Sequence, residues 1–380
     1  MVKGELMSRR SRKGSEEDPL SDIEQLAADL PPVNGEVYAK IAMTGGSSFR
    51  GDLVLKRLAD LPHIKEIHVF DIKAPMVHAP KVIFHRVDLK RDGADDLVAS
   101  LLIKNEIKCL VHGGLFSGPG RNSSLRREVE TIGTFHILNA LAEAKVERCV
   151  VLGDTFVYGA HSQNPNFISE NHSLRALGPD FVRARVDVEK QLIEFAKDYT
   201  NCEVCVLRFA PILGPNSTNV RARYFLVGII PKVLGYDPLL QFIHEDDAAV
   251  AAQLAIFSKA RGAFNIVGKG VLPLSTGIHL SGRFPVPVAT PICKTVFSLG
   301  FMLRVWDLPS AMVPFFQYLC VGDGSRAEKV LGFRPHYSSR QALKALIEAA
   351  RLRSVGFSIP SSALGEEKPL KPNEGFVRVN

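Results

Sequence analysis

The chain has 380 residues, of which 46% are hydrophobic, and its 47 basic and 40 acidic residues give a net charge of +7. This length allows two domains of about 150 residues, or one large α/β unit with an embedded lobe. The modest charge, without a dense Lys/Arg stripe, argues against nucleic-acid binding. The six cysteines are scattered, which argues against a disulfide framework.

The beginning and end of the chain are polar. We expect residues 1–37 to form a mobile tail with a short helix around 20–29, and residues 356–380 to form a second loose tail. The N-terminal segment has no apolar stretch typical of a secretory signal, which favours a cytoplasmic protein.

From residue 40 onwards, apolar runs of strand length alternate with segments of helical periodicity. Strands are predicted at 40–43, 66–70, 82–87, 107–112, 148–153 and 203–209, and helices at about 50–60, 93–104, 123–144 and 180–199. Such alternation is typical of βαβ units with a parallel sheet covered on both faces. We therefore predict an α/β fold with a doubly wound parallel Rossmann sheet, its dinucleotide-binding domain spanning 38–210.

The regular alternation ends at about residue 210, where Pro and Gly recur. Short strands are expected at 239–244 and 263–267, with a helix at 246–259. We interpret 211–355 as a smaller C-terminal substrate lobe with elements that return to the sheet.

The most apolar part of this lobe is the segment 291–321. Lys294, Arg304 and Asp307 interrupt it, so no apolar run reaches the roughly 18–20 residues that span a bilayer. Two interpretations stay open: a hydrophobic cap packed on the lobe, or peripheral contact with a membrane surface.

A glycine-rich turn, TGGSSFRG at 44–51, follows the first predicted strand. Backbone amides in such a turn meet a pyrophosphate at the start of the next helix. A serine at position 48 reduces clearance, although its hydroxyl can donate to a phosphate oxygen. The predicted cofactor-binding residues of this turn are Thr44, Gly45, Gly46, Ser48, Phe49, Arg50 and Gly51.

An acidic residue, Asp71, ends the second predicted strand, about 20 residues beyond the turn. A carboxylate there accepts a hydrogen bond from the ribose 2′-hydroxyl and repels a 2′-phosphate, which favours NAD over NADP. Lys73 and Arg50 lie nearby and would soften this preference. The alternative is a Rossmann sheet that has lost its nucleotide.

A lone Cys202-x-x-Cys205 lies at the start of a predicted buried strand. A zinc site needs a second ligand pair, and no well-spaced pair is visible, so no metal site is predicted.

Several further segments accompany the glycine turn: VYG at 157–159, LRFAPILGP at 207–215, FIHEDDA at 242–248, FNI at 264–266 and SRAEKVLGFRP at 325–335. Together they resemble the extended short-chain dehydrogenase/reductase superfamily. The resemblance is to its NAD-dependent epimerase/dehydratase group, which includes UDP-glucose 4-epimerase and 3β-hydroxysteroid dehydrogenase, and it covers about 38–350.

The resemblance implies further contacts with a cofactor and a small-molecule ligand. The additional cofactor positions are Asp88, Leu89, Gly113, Gly114 and Arg185, and the substrate positions are Arg208, Pro211, His244 and Asp247. His244 and Asp247 equally suit a hydrogen-bonded helix start. The helices at 123–144 and 177–199 correspond to those that often form a homodimer interface in the resembling family.

The catalytic motif departs from that family. Its tyrosine, the general acid/base, corresponds to Phe181, and its lysine four residues later corresponds to Arg185. Asp154 stands where a Ser or Thr is expected, and Glu130 stands where Asn is frequent. None of the seven tyrosines is followed four residues later by Lys, so no shifted alignment restores the pair.

Three hypotheses follow. The first is an NAD-dependent oxidoreductase or epimerase with Asp154, together with Glu130, as substitute acid/base and Arg185 as a positioning residue. The second is a non-catalytic dinucleotide sensor or scaffold. The third is a peripheral membrane protein for a lipid-like ligand. The ligand itself stays open between a nucleotide sugar, a sterol-like ring and a lipid.

Overall fold

The computed structural model describes residues 38–115, 123–174, 179–304 and 308–355. The predicted tails at 1–37 and 356–380, with the short helix expected around 20–29, lie outside these residues.

Strands and helices alternate along the described chain. The strands are β1 (Lys40–Thr44), β2 (Glu66–Asp71), β3 (Val82–Arg86), β4 (Cys109–His112), β5 (Arg148–Asp154), β6 (Glu203–Phe209), β7 (Ile212–Leu213), β8 (Ile229–Val233), β9 (Leu239–Leu240), β10 (Ile243–His244), β11 (Gly262–Ile266), β12 (Leu272–Pro273) and β13 (Phe284–Val288). The α-helices are α1 (Phe49–Asp60), α2 (Ala94–Lys104), α3 (Ser123–Glu143), α4 (Asp180–Asp198), α5 (Val220–Leu226), α6 (Glu245–Ile256), α7 (Leu274–Ser281), α8 (Thr290–Met302) and α9 (Ser339–Ser354).

Seven of these strands form one parallel sheet in the order β11-β6-β5-β4-β1-β2-β3. Helices α2, α3 and α4 pack in series, and α1 packs against α6. The predicted doubly wound Rossmann fold is therefore confirmed, with strand and helix bounds within about three residues of those expected from the sequence pattern.

Burial explains why these runs become strands of one sheet. Every residue of β5, at the centre of the sheet, is buried, whereas β3 at the edge is half-exposed. Strands covered on both faces need near-continuous apolar runs, and the sequence supplies them in the central positions.

The strand order reverses between β1 and β4, which creates a crevice at their carboxyl ends. Thr44, the last residue of β1, pairs with His112 of β4 on one side and Phe70 of β2 on the other. Loops that follow these strands therefore converge at one edge of the sheet, where the candidate site lies.

Beyond residue 210 the chain builds a second hydrophobic cluster around α5, α7, α9 and the paired strands β8 and β13. The strand expected at 239–244 is split into β9, which pairs with β12, and β10, which pairs with β7. Between them, the side chain of Gln241 exchanges hydrogen bonds with the backbone of Gly322. Strand β11 joins the central sheet beside β6, and helix α6 packs on that sheet. The domain boundary at 210 stays a prediction.

The apolar segment 291–321 contains α8, whose two faces differ. Cys293, Phe297 and Gly300 are buried, whereas Ile292 and Leu299 are exposed. Among the described residues, no helix combines the length and the apolar character needed to cross a membrane.

Candidate functional site

The glycine turn joins β1 to α1 at the crevice. Gly45 has a φ of +68°, and a Cβ there would lie 2.4 Å from the Gly113 carbonyl oxygen. A Cβ at Gly51 would lie 2.0 Å from the Gly45 oxygen. Only glycine fits these positions, so the turn can pack closely against Gly113 and the start of α1.

Ser48 is the N-cap of α1, where its hydroxyl accepts a hydrogen bond from the Gly51 amide at 3.1 Å. The hydroxyl hydrogen remains a possible donor. Serine at position 48 leaves less space for a phosphate than glycine would, but its side chain caps the start of α1.

Asp71 lies within hydrogen-bond distance of the glycine turn. Its Oδ2 accepts from the amide of Ser47 at 3.0 Å and from the Ser47 hydroxyl at 2.8 Å. Its Oδ1 accepts from the Ile72 amide at 2.7 Å. This network fixes a half-buried carboxylate at the end of β2, beside the turn.

The loop after β3 brings Asp88 and Leu89 to the same edge of the sheet. Asp88 Oδ1 accepts from the Lys90 amide at 3.2 Å. Leu89 packs on α3, where a Cβ added at Gly133 would lie 3.4 Å from the Cβ of Leu89.

His112, which was not among the residues predicted from the sequence, connects the glycine turn to α3 by hydrogen bonds. Its Nδ1 lies 2.7 Å from the Thr44 hydroxyl and its Nε2 lies 3.2 Å from the Thr134 hydroxyl. Burial lowers the pKa of His112 to about 4, so the ring is neutral at pH 7. The adjacent Gly113 donates its amide to the Thr44 carbonyl at 3.0 Å. The only sequence signal was the position of His112 before two glycines.

Four buried charged residues meet where the catalytic pair of the resembling family was expected. Arg185 Nε donates to Asp154 Oδ2 at 3.0 Å, and its Nη1 lies 2.5 Å from Glu130 Oε2. Arg50 Nη1 lies 3.4 Å from the same Asp154 oxygen. Each of the four is at most 7% exposed. We call Arg50, Glu130, Asp154 and Arg185 the ion cluster.

Arg50 crosses the crevice to reach this cluster. Its Nη1 donates to the Gly153 carbonyl at 2.8 Å, and its Nη2 donates to the Leu115 carbonyl at 2.9 Å. Burial lowers the pKa of Arg50 even though Asp154 opposes that shift. Arg50 thus links the glycine turn to the carboxyl ends of β4 and β5.

The pKa of Arg185 shifts in the opposite direction to that of Arg50. Burial would lower its pKa, but the carboxylates of Glu130 and Asp154 outweigh burial and raise it. Two positive and two negative side chains balance the charge of the ion cluster. Asp154 Oδ1 is buried and has no hydrogen-bond partner among the described residues.

Phe181 belongs to an aromatic group instead of this polar network. Its ring centroid lies 5.6 Å from that of Phe156, in an edge-on arrangement, and 5.8 Å from that of Phe315. A phenyl ring has no titratable proton, so the position that a tyrosine would occupy is apolar here.

A cavity lies beside the ion cluster and the aromatic group, with about 350 Å³ of empty space that includes open solvent. Its lining consists of Phe49, Arg50, Asp154, Phe156, Phe209, Ala210, Pro211, Ile212, Asn219, Val220 and Arg221. Of the sequence-predicted residues, Phe49, Arg50, Asp154 and Pro211 therefore share one cavity. Arg221 also lines this cavity and was not predicted from the sequence as a site residue.

The structure places Arg208 elsewhere. Its Nε donates to Glu189 Oε1 at 2.9 Å, and its Nη1 donates to the Tyr158 hydroxyl at 2.8 Å and to the Glu170 carbonyl at 3.1 Å. The paired carboxylate outweighs burial and raises the pKa of Arg208. These contacts join β6, α4 and the turn after β5 inside the protein.

His244 and Asp247 lie at the start of α6 and do not line this cavity. His244 Nδ1 accepts from the Asp246 amide at 3.3 Å, and its ring stacks on Tyr337. Asp247 accepts from the amides of His336 and Tyr337, each at 2.9 Å. Both residues therefore contact the segment that precedes α9. These contacts suit the interpretation of His244 and Asp247 as residues of a hydrogen-bonded helix start.

The cysteines are free thiols, and Cys202 and Cys205 are buried. Across the described ranges, no three His, Cys, Asp or Glu side chains are grouped so that they could hold a metal ion.

Comparisons with known proteins agree with this fold. The sequence profile described as "NAD dependent epimerase/dehydratase family" matches residues 41–266. An uncharacterized protein of Mycobacterium tuberculosis is 28% identical over 331 residues, which cover 83% of this chain and 88% of that protein. Short-chain dehydrogenase/reductase family 42E member 1 of Xenopus laevis is 28% identical over 80% of this chain and 79% of its own.

Among solved structures, dTDP-glucose 4,6-dehydratase from Bacillus anthracis, in complex with NAD, superposes with a TM-score of 0.65. The superposition covers 84% of this chain and 98% of the dehydratase, at 15% sequence identity. At that identity the similarity establishes the fold alone.

Proposed function

We propose that this chain, which belongs to the NAD-dependent epimerase/dehydratase family, is an NAD-dependent oxidoreductase in which a carboxylate replaces the family's tyrosine. The observation that carries the proposal is the state of Asp154. Two guanidinium groups hold its Oδ2, whereas its buried Oδ1 has no hydrogen-bond partner in the described part of the chain, and the residue lines the cavity.

The residues around the crevice fit a dinucleotide. The amides at the start of α1 would bind the pyrophosphate, and Asp71 would accept a hydrogen bond from a ribose hydroxyl. The clearance at Gly45, Gly51 and Gly113, where a Cβ would meet backbone atoms within 3 Å, supports this fit. When bound, NAD supplies or accepts the hydride of the redox reaction.

Asp154 would do the proton chemistry. Its Oδ1 would accept a hydrogen bond from a ligand hydroxyl and take the proton as the alcohol becomes a carbonyl, and would return it in the reverse direction. Arg50 and Arg185 keep the carboxylate oriented during this exchange. Phe181 would support the ligand by apolar contact only.

The cavity favours a sterol-like or lipid-like ligand over a nucleotide sugar. Seven of its eleven lining residues are apolar: Phe49, Phe156, Phe209, Ala210, Pro211, Ile212 and Val220. The hydroxyls of a sugar would lose water there without finding enough hydrogen-bond partners, at a cost of about 1–3 kcal/mol each.

A second candidate function is non-catalytic NAD binding, as a sensor or scaffold. The observation in its favour is that Arg185 is already paired with both Glu130 and Asp154, while Phe181 is packed among aromatic rings. This state would bind a dinucleotide without chemistry.

Incubation with NAD⁺ and a panel of apolar secondary alcohols, or with NADH and the corresponding ketones, separates the two candidates by nicotinamide absorbance. We expect turnover in the wild type and a loss of about a hundredfold or more in Asp154→Asn, because general base catalysis contributes that much. Asp198→Asn, an exposed carboxylate at the end of α4, is the control. NAD binding without turnover of any panel member would favour the sensor.

The exposed face of α8 supports contact with an anionic membrane surface as part of the proposal. Ile292, Leu299 and Leu303 share this face and are 49–62% exposed. Lys294 and Arg304 are exposed nearby, and the sequence contains no Asp or Glu between 248 and 306. Basic residues beside an apolar ridge suit an anionic bilayer.

Sedimentation with phosphatidylserine vesicles tests this contact. Leu299→Ser should reduce pelleting, whereas Phe135→Ser, an equally exposed apolar residue on α3, should not. Failure of the wild type to pellet would exclude the membrane contact.

Helices α3 and α4 pack side by side and expose Phe135 and Ile193, which supports a homodimer through these helices. Light scattering would detect it, and the double variant Phe135→Glu/Ile193→Glu should be a monomer. A monomeric wild type would exclude the dimer.

A further inference from the structure

Arg221, on α5, is a buried cation whose donors are mostly unused. The residue is 4% exposed. Its Nη2 donates to the Phe315 carbonyl at 3.3 Å, whereas Nε and Nη1 have no hydrogen-bond partner among the described residues. Buried donors without acceptors cost free energy. A ligand with hydrogen-bond acceptors would therefore be stabilised beside Arg221, because the described residues provide none for Nε and Nη1.

Within the described ranges, no carboxylate pairs with Arg221. Burial lowers the pKa of Arg221 to about 10, and the described neighbours that oppose this shift are Cys320 and Tyr224. Burial raises the pKa of Cys320 to about 12 and also raises that of Tyr224, so both are neutral at pH 7. Arg185 and Arg208 are buried as deeply, but each is paired with a carboxylate.

Aromatic rings account for only part of the environment of Arg221. Its guanidinium carbon lies 4.8 Å from the ring centroid of Phe316, 5.9 Å from that of Phe315 and 6.0 Å from that of Phe156. Such rings attract the cation through its face. They provide no acceptor for the N–H groups of Nε and Nη1, which point outward in the guanidinium plane.

Arg221 also lies at the boundary of two cavities. One is the cavity that Asp154 lines. The other is lined by Thr155, Phe156, Pro211, Arg221, Leu239, Leu240, Gln241, Phe242, Phe315, Tyr318 and Cys320. Arg221, Phe156 and Pro211 line both cavities, so a ligand in either one would lie beside Arg221.

We propose that Arg221 binds the anionic group of an apolar acid whose hydrophobic body fills the cavity beside Asp154. A planar guanidinium with several unused N–H groups matches a carboxylate or a phosphate monoester in a bidentate geometry. The aromatic and aliphatic lining matches the rest of such a ligand. This inference names the substrate class of the proposed function, and rests on it for the location of the ligand.

Calorimetric titration without cofactor tests the anion site separately from turnover. The probes are 2-naphthoate, 2-naphthyl phosphate and the uncharged 2-naphthamide. We expect one of the two anions to bind the wild type about ten- to a hundredfold more tightly than the amide, as charge-assisted hydrogen bonds provide. Preference for one anion over the other identifies the headgroup.

Three variants isolate the role of Arg221. Arg221→Met should abolish the preference for the anion while raising Tm, because a buried unpaired charge is removed without loss of volume. Arg221→Lys, which keeps the charge without the planar fork, should retain part of the preference. Arg223→Met, an exposed arginine on the same helix, should leave anion binding unchanged and controls for net charge.

Equal binding of acid, phosphate and amide to the wild type, or binding of none of them, would overturn the proposal. An unchanged preference in Arg221→Met would do the same. Selective anion binding without NAD-linked turnover would preserve the anion site while rejecting the oxidoreductase, so the two failures are distinguishable.

Discussion

Arg185 donates its Nε hydrogen to Asp154 Oδ2 over 3.0 Å, within a cluster that also contains Glu130 and Arg50. By resemblance, a lysine was expected at position 185 and a neutral hydroxyl residue at position 154. Two arginines hold Asp154 Oδ2, whereas Asp154 Oδ1 has no hydrogen-bond partner among the described residues.

The ion cluster should behave as one energetic unit. Arg185→Met would leave the buried carboxylates of Glu130 and Asp154 without their shared partner, so we expect a loss of about 3–5 kcal/mol in the free energy of unfolding. The double variant Glu130→Leu/Arg185→Met should lose less than the sum of the two single variants. Urea unfolding measures these differences, and strict additivity would contradict the pairing.

Arg208 should be a structural residue of the same importance. Arg208→Met removes the partner of buried Glu189 and should cost about 3–5 kcal/mol. Arg261→Met, which removes an exposed ion pair to Glu203 of 3.7 Å, should cost less than about 1 kcal/mol. Comparable losses in the two variants, measured by urea unfolding, would argue against a stabilising role for the buried pair.

Glu245 should make stability fall as pH rises. Burial raises its pKa from 4.5 to about 7, so between these values the folded protein keeps a proton that the unfolded chain releases. Stability is therefore lost as pH increases through this window. Glu245→Gln should be more stable than the wild type at pH 8, by up to about 3 kcal/mol, and similar at pH 4.5. Parallel Tm profiles of the two proteins between pH 4.5 and 8 would contradict this account.

His112 should have the opposite pH dependence. Burial lowers its pKa from 6.5 to about 4, so the unfolded chain binds a proton more readily and stability falls as pH drops through that window. His112→Leu should remove this dependence and cost about 1–3 kcal/mol at pH 7, because the Thr44 and Thr134 hydroxyls lose a partner. Tm profiles between pH 4 and 7 check it, and a steeper acid loss in the variant would contradict it.

The sheet and the glycine turn could be predicted because their signals are local. Each strand is a short apolar run, and the turn from Thr44 to Gly51 lies between one strand and one helix. The departure of Phe181 and Arg185 from the family motif was also visible in the sequence.

The pairings inside the site could not be predicted. Arg50 and Asp154 are 104 residues apart, and Arg221 bonds to a carbonyl 94 residues later. The sequence reading placed Arg208 toward a ligand, whereas it bonds to Glu189. Residue type alone does not show whether an arginine forms an ion pair with a carboxylate, because packing between distant elements determines its partner.

Calorimetric titration of the full-length protein with NAD⁺ is the most direct test of the central claim that this chain is an NAD-binding enzyme with a substituted acid–base group. We predict saturable NAD⁺ binding that Asp71→Ala weakens by about tenfold or more, since a charge-assisted hydrogen bond is lost. Asp96→Ala, an exposed carboxylate on α2, should have no effect. Absence of binding by both NAD⁺ and NADH, or equal affinity in Asp71→Ala, would contradict the account.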